Sequence, residues 1–196
     1  ISDNLACVDY NFQNFFRTYN SSINSSSMYV IPNFTEILRE IPVRNPRDTI
    51  KIVFARRFVE RRGILIFNEA ISTLYSEGYD FETHFAGDGK FLEETKGLFN
   101  NNSKVSFSKF KSSESLEFHK DKTIAVIPSL GSEGTSLSLL EAMSCGCTPV
   151  VTDVGGLTNI VIDSFNGLIC SPNAKSLFQA LKRLLDDEGL NLNLGR

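Results

Sequence analysis

Two carboxylates, Glu133 and Glu141, stand with seven residues between them in the run Pro128-Ser129-Leu130-Gly131-Ser132-Glu133-Gly134-Thr135-Ser136-Leu137, which continues through Ser138 to Met143. An apolar start, a small-residue middle and an apolar-periodic end predict a strand that runs out into a turn and then a helix. Such a turn presents backbone N–H groups, and at a helix N-terminus these donors and the macrodipole together favour an anion such as phosphate. Glu133 falls in the turn and Glu141 lies inside the helix, so one carboxylate meets a ligand near its phosphates and the other a more distant hydroxyl. Ser138-x-x-Glu141 also fits a capping box, in which the glutamate only closes the helix start. Spacing alone leaves both readings open.

A second cluster, Arg56-Arg57-Phe58-Val59-Glu60-Arg61-Arg62-Gly63, follows an apolar run and precedes a helical one. Guanidinium groups at the carboxyl end of a strand offer forked donors and a fixed charge, which suits a diphosphate. Taken by itself, the cluster is more simply a solvated basic loop. The two histidines, His84 and His119, are read as packed or solvent-facing rather than as catalytic bases. Cys7, Cys145, Cys147 and Cys170 show no C-x2-C spacing and are read as small buried hydrophobes, as in a reducing compartment.

The elements that must hold these residues alternate between short apolar runs and amphipathic stretches. Strands are predicted at Ile50 to Ala55, Phe81 to Ala86, Val105 to Phe107, Thr123 to Ile127, Pro149 to Thr152 and Gly167 to Cys170. Helices are predicted from Ile64 to Leu74, Lys90 to Leu98, Ser115 to His119 and Ser136 to Cys145, and a last one after Ser171-Pro172 carries Leu177, Leu181 and Leu184. This order predicts a mostly parallel sheet with helices on both faces, whose ligands bind beyond the carboxyl ends of the strands. Before it come a short strand at Leu5 to Val8, a helix at Asn11 to Tyr19 and a Ser/Asn loop from Asn20 to Ser27. A linker is predicted over 28–48, broken at Pro32, Pro42 and Pro46. The chain has 196 residues, 41% hydrophobic and 22% charged, with mean hydropathy −0.09, which fits a soluble globular domain. A net charge of −3 argues against a dedicated nucleic-acid binder. The chain opens at Ile1, shows no signal peptide and is expected to be cut from a longer one. Asn20, Asn24, Asn33 and Asn101 head N-x-S/T sequons, which matter only in a secretory compartment.

Together the two clusters resemble the donor-binding domain of the retaining glycosyltransferases of family four, which use the two-domain GT-B architecture. Arg57 and Arg62-Gly63 look like that family's Arg and Lys-Gly after the first strand, Gly87-Asp88-Gly89 like its Gly-x-Gly turn, and Pro128-Ser129 like its Pro-Ser strand end. Glu133 and Glu141 match its Glu-x7-Glu signature. Cys145-Gly146, Thr148-Pro149-Val150-Val151, Gly155-Gly156 and Asn166-Gly167 follow in the family's order, so the resemblance covers roughly Tyr29 to Asp187.

The resemblance implies a Rossmann-like three-layer α/β/α domain with a mostly parallel sheet, the C-terminal half of a GT-B glycosyltransferase. Residues 1–27 would be a remnant of the N-terminal acceptor domain, 49–187 the nucleotide-sugar donor-binding domain and 188–196 a tail. Arg57 and Arg62 would hold the donor diphosphate, with backbone N–H groups of Gly134, Thr135, Ser136 and Leu137 on its oxygens. Glu141 would accept from the ribose hydroxyls, Glu133 would contact the transferred sugar, and the base would lie near Phe110. Transfer would proceed with retention and without metal or other cofactor, in a cytoplasmic enzyme with at most peripheral contact at the inner face of the membrane. Its partners would be a nucleotide sugar, the missing acceptor domain, and an acceptor glycan or lipid-linked glycan. Three positions depart from the pattern: Arg62 replaces lysine, Leu157-Thr158-Asn159 replaces a proline and glutamate, and Lys109 stands where glycine is common. A nucleotide-sugar epimerase and a non-catalytic nucleotide-binding regulatory module are the alternatives. No Gly-x-Gly-x-x-Gly follows the first strand, which argues against a dinucleotide oxidoreductase.

Overall fold

The computed structural model of the chain describes residues 4–19, 27–38, 40–45, 48–131 and 133–195. The predicted Ser/Asn loop, the sequons at Asn20 and Asn24 and the break at Pro46 lie almost wholly outside them. Near the N-terminus, β1 (Leu5–Cys7) pairs in parallel with β2 (Met28–Val30), and α1 (Tyr10–Tyr19) joins them. Asp9 starts α1 because its carboxylate accepts the Phe12 amide at 2.7 Å.

The main sheet contains β3 (Lys51–Ala55), β4 (Glu82–Ala86), β5 (Val105–Ser108), β6 (Ile124–Ile127), β7 (Thr148–Thr152) and β8 (Leu168–Cys170). All are parallel, in the spatial order β5-β4-β3-β6-β7-β8. Alternate residues of one strand feed two cores. Ile52, Phe54, Ile124, Val126 and Val150 face α2 (Ile64–Ser76) and α6 (Ala174–Asp186). Val53, Ala125, Ile127 and Val151 face α5 (Leu137–Ser144). Strands covered on both faces need no polar alternation, which is why they read as continuous apolar runs. The shorter helices α3 (Leu92–Leu98) and α4 (Ser115–His119) follow β4 and β5. The α/β/α layers expected from sequence are therefore present.

Two expected details differ. The last long helix is not capped by Ser171 with Pro172 inside it; Asn173 is the cap, its side-chain oxygen accepting the Ser176 amide at 2.9 Å. Residues 188–196, expected as a tail, contain α7 (Glu188–Leu194), capped by Asp187 on the Leu190 amide at 2.9 Å. Leu190 and Leu194 are one helical turn apart, and that spacing packs α7 against the core shared by α2 and α6.

The described part of the linker after β2 is fastened from below the sheet by Arg44. Its guanidinium donates to the carbonyls of Gly146, Lys122 and Cys145, closing the C-terminal end of α5. Cys7, Cys145, Cys147 and Cys170 are free and buried, and burial pushes the Cys147 and Cys170 thiols up to about 12. Among the described residues no helix is long and apolar enough to cross a membrane.

Candidate functional site

The chain changes direction across the sheet between β3 and β6, and the crevice outside their carboxyl ends is where open α/β sheets receive ligands. Arg56 leaves the end of β3, and Ser129 leaves the end of β6. The two approach closely because Gly63, at φ 77°, ends the 3-10 turn Glu60–Arg62 directly against Pro128; a Cβ there would lie 1.7 Å from the Pro128 carbonyl oxygen. Gly155, at φ 55°, does the same behind Glu133, where a Cβ would meet the Glu133 carbonyl oxygen at 2.1 Å. The Gly156 amide then donates to that carbonyl at 2.8 Å and fixes the backbone of the turn.

Glu133 is the centre of the crevice, with its side chain 6% exposed. One of its oxygens, Oε2, accepts from Arg56 Nη2 at 2.6 Å, from Ser129 Oγ at 2.5 Å and from Arg62 Nη1. Arg56 Nη1 donates to Ser129 Oγ at 2.6 Å, so the serine passes a hydrogen bond from guanidinium to carboxylate. Burial pushes the Glu133 carboxyl up, but Arg56, the Ser129 hydroxyl and Arg62 outweigh it and hold the group below the usual carboxylate range. Burial also lowers the Arg56 guanidinium, with Glu133 opposing. Two guanidiniums against one carboxylate leave one positive charge in excess in a largely dry corner, which favours an anion there.

The turn after Glu133 leads into α5, with Ser136 as its first flanking residue. The capping box at Ser138 is not formed. The helix starts one residue before Ser138, and the Glu141 carboxylate turns away to accept from Ser115 Oγ at 2.6 Å. The amides of Gly134, Thr135, Ser136 and Leu137 donate to no other described residue. Thr135 is instead held by its other groups: its hydroxyl donates to the Val8 carbonyl, and its own carbonyl accepts from Asn33 Nδ2 at 2.7 Å. Phe110 stacks on Phe118 at 4.4 Å between ring centres and meets the edge of His119. It therefore packs on α4, the helix whose Ser115 holds Glu141.

Arg62 and Glu133 thus come together, and Glu141 lies on the helix that begins beside them. Arg57 does not join them: its side chain is exposed and touches no described partner, while the adjacent Arg56 bonds Ser129 and Glu133. Period-two alternation ends with β3 at Ala55, so nothing in the sequence distinguishes one of these adjacent arginines from the other. His119 is buried and bonded through Nδ1 to the Ser115 carbonyl at 2.7 Å, whereas His84 is half-buried between Glu82 and Ser106. Leu157, in the departing loop, is fully buried, and Thr158 accepts from Asn11 Nδ2 at 3.3 Å. A 760 Å³ cavity opens between the N-terminal segment, with Val8, Asp9 and Phe12, and the Glu133, Gly134 and Gly155 edge of the crevice.

The chain is 33% identical over 147 residues to an uncharacterized glycosyltransferase of Methanocaldococcus jannaschii, a match that covers 73% of this chain and 40% of the relative. It is 38% identical over 85 residues to the N,N'-diacetylbacillosaminyl-diphospho-undecaprenol alpha-1,3-N-acetylgalactosaminyltransferase of Campylobacter jejuni, covering 43% of this chain and 22% of the relative. The chain therefore spans well under half the length of these relatives. TarM of S. aureus, solved with fondaparinux, alpha-GlcNAc-glycerol and UDP, superimposes with a TM-score of 0.81 at 18% identity, over 98% of this chain and 39% of TarM, which shows the shared fold. The family profile described as glycosyl transferases group 1 matches residues 37–196, which include the arginine cluster, both glutamates and the glycine turns that place them. The chain belongs to the group 1 glycosyltransferases.

Proposed function

We propose that this chain binds the nucleotide-diphosphate sugar for a retaining, metal-independent hexosyl transfer of the family-four type. The observation that carries the reading is the Arg56–Arg62–Glu133 corner at the β3–β6 crevice, with its excess positive charge beside the free amides that begin α5. In this reading Arg62 and the amides of Gly134 to Leu137 hold the diphosphate and stabilise the negative charge that grows on it as the sugar leaves. Glu133 accepts a hydroxyl of the sugar and orients it, and the leaving diphosphate takes the proton of the acceptor hydroxyl on the same face. Glu141 accepts from the ribose, and Phe110 borders the base. Fixed cations and amides supply the stabilisation in this scheme without a metal or other cofactor.

The acceptor is inferred to be a glycan or lipid-linked glycan in surface polysaccharide or glycoconjugate synthesis, since the C. jejuni relative is named for a diphospho-undecaprenol acceptor. On this reading the enzyme works in the cytoplasm, at most peripherally at the inner face of the membrane. Residues 1–27 are assigned to the acceptor side of the cleft and 49–187 to the donor side. An acceptor domain would complete the cleft and exclude water, and the present chain alone is expected to bind donor but transfer little.

Calorimetric titration with UDP, GDP, ADP and the matching nucleotide sugars, with and without EDTA, tests the reading. One diphosphate is expected to bind regardless of chelator, and Arg62→Ala is expected to weaken it roughly 10- to 100-fold, by the loss of charge-assisted hydrogen bonds. No binding of any nucleotide at millimolar concentration would refute the assignment.

A further inference from the structure

We infer that Arg56 is a positioning residue that stays on Glu133 when donor binds, aiming the carboxylate at the sugar, while Arg62 gives up Glu133 for the diphosphate. The inference rests on the donor-binding reading above and deepens it, because it divides the two buried arginines between the two halves of the donor.

The two guanidiniums share one acceptor atom and otherwise differ. Arg56 directly follows the last residue of a sheet strand, its side chain is 7% exposed, and it has both Nη atoms engaged, one on Ser129 Oγ and the other on Glu133 Oε2. The Ser129 hydroxyl, having accepted from Arg56, donates to the same carboxylate oxygen, so the three groups form a closed ring. Pulling Arg56 away would break two hydrogen bonds to its own protein and strip a counter-ion from a side chain that is almost dry. Arg62 is more exposed, at 18%, belongs to a short 3-10 turn, and uses a single Nη on Glu133. A phosphate can therefore take over Arg62 at the cost of one contact, and the excess positive charge of the corner favours the exchange.

All described donors to the Glu133 carboxylate converge on Oε2. Oε1 accepts from no described residue, and Glu133 borders the cavity towards Val8 and Asp9. A carboxylate saturated on one oxygen and free on the other, with its plane fixed by Arg56 and Ser129, is built to accept one hydroxyl in one direction. Arg56 thereby acts on the sugar through Glu133 and does not itself bind phosphate.

The experiment compares the wild-type chain with Arg56→Gln, Arg56→Lys, Arg62→Ala and Glu133→Gln in two ways. Carbon-13 NMR of labelled glutamate carboxyls follows the titration of Glu133 without any ligand. Its midpoint should rise in Arg56→Gln and recover in part in Arg56→Lys, which also keeps a charge in the corner if the neutral variant folds poorly. Calorimetry then gives the ratio of nucleoside diphosphate to nucleotide-sugar dissociation constants, which isolates the sugar. Arg56→Gln and Glu133→Gln should lower that ratio about 5-fold or more, as for the loss of one well-made hydrogen bond, while affinity for the diphosphate itself falls less in Arg56→Gln than in Arg62→Ala and rises in Glu133→Gln, as the charge of the corner requires. Arg62→Ala should weaken both ligands and leave the ratio nearly unchanged. If Arg56→Gln weakens the diphosphate as much as Arg62→Ala does, or leaves the Glu133 titration where it was, the inference is overturned. If the wild-type chain binds no nucleotide at all, the donor reading falls, and the ligand-free titration still decides whether Arg56 holds Glu133.

Discussion

Glu133 and Glu141 belong to one spacing motif, yet the protein holds them by opposite means. Glu133 is enclosed by two guanidiniums and a serine hydroxyl, and its position is set by charges that are themselves short of a partner. Glu141 is held by one neutral hydroxyl, Ser115 Oγ, on a helix from the far side of the crevice. The motif therefore marks where the backbone delivers two carboxylates, while the energetics of each come from residues 70 or so positions upstream in one case and about 26 in the other. Glu133→Ala would leave Arg56 and Arg62 facing each other without their shared counter-ion, and should cost roughly 3 to 5 kcal/mol of stability in urea unfolding. Inorganic pyrophosphate should restore part of that loss, because it supplies the missing negative charge, whereas Glu141→Ala should cost no more than about 1 kcal/mol. Equal losses in the two variants would erase the contrast.

The same contrast explains how far the sequence could be read. The strands, the helices and their order were legible because doubly covered strands make unbroken apolar runs, and because Gly78 and Gly146, at φ 86° and 72°, close helices where the pattern stops. Arg62 and Glu133, which meet at the crevice, stood out as charge beside a strand end and in a small-residue turn. Arg56 did not, since its role depends on which way a side chain turns once the strand's alternation has ended. Arg44 shows the same limit from the other end of the sheet: it also gathers several acceptors, but they are backbone carbonyls, which no side-chain pattern announces. The hydroxyl that holds Glu141 was hidden for a related reason, because Ser115 reads as an ordinary helix start until α4 is packed against α5.

Ser115 sharpens the comparison on the Glu141 side. Ser115→Ala removes the hydroxyl and leaves Glu141 without that partner, which should weaken nucleoside diphosphate binding by about 1 kcal/mol, or roughly 5-fold. If Glu141 meets the ribose, the penalty should vanish with the 2′,3′-dideoxy nucleotide, and the response to pyrophosphate, which touches only the Glu133 side, should be unchanged. A loss that is equally large for pyrophosphate would mean that Ser115 supports the whole crevice.

The smallest effect is expected from His119, which reaches Glu141 only through Ser115, whose hydroxyl lies 3.4 Å from its Nδ1. Burial lowers its imidazole from the ordinary value of 6.5; the Ser115 carbonyl and Asp121 oppose the shift, and Lys122 adds to it. The folded protein thus prefers neutral His119 more than the unfolded chain does. Its contribution to stability is complete above pH 6.5 and is lost as pH falls from there through the lowered folded value, at no more than about 1.4 kcal/mol per pH unit. Half-buried His84 is lowered by burial as well and acts in the same direction, so the informative quantity is the difference between wild type and His119→Gln. That difference should shrink steadily as pH drops below 6.5, because only the wild type carries the penalty of charging a buried ring. Over the same window, affinity for a nucleoside diphosphate should fall more in the wild type than in His119→Gln, while affinity for pyrophosphate should differ little between them. The proton would then be disturbing the neutral side of the crevice, through Ser115 and Glu141, and leaving the arginine-bound side as it was.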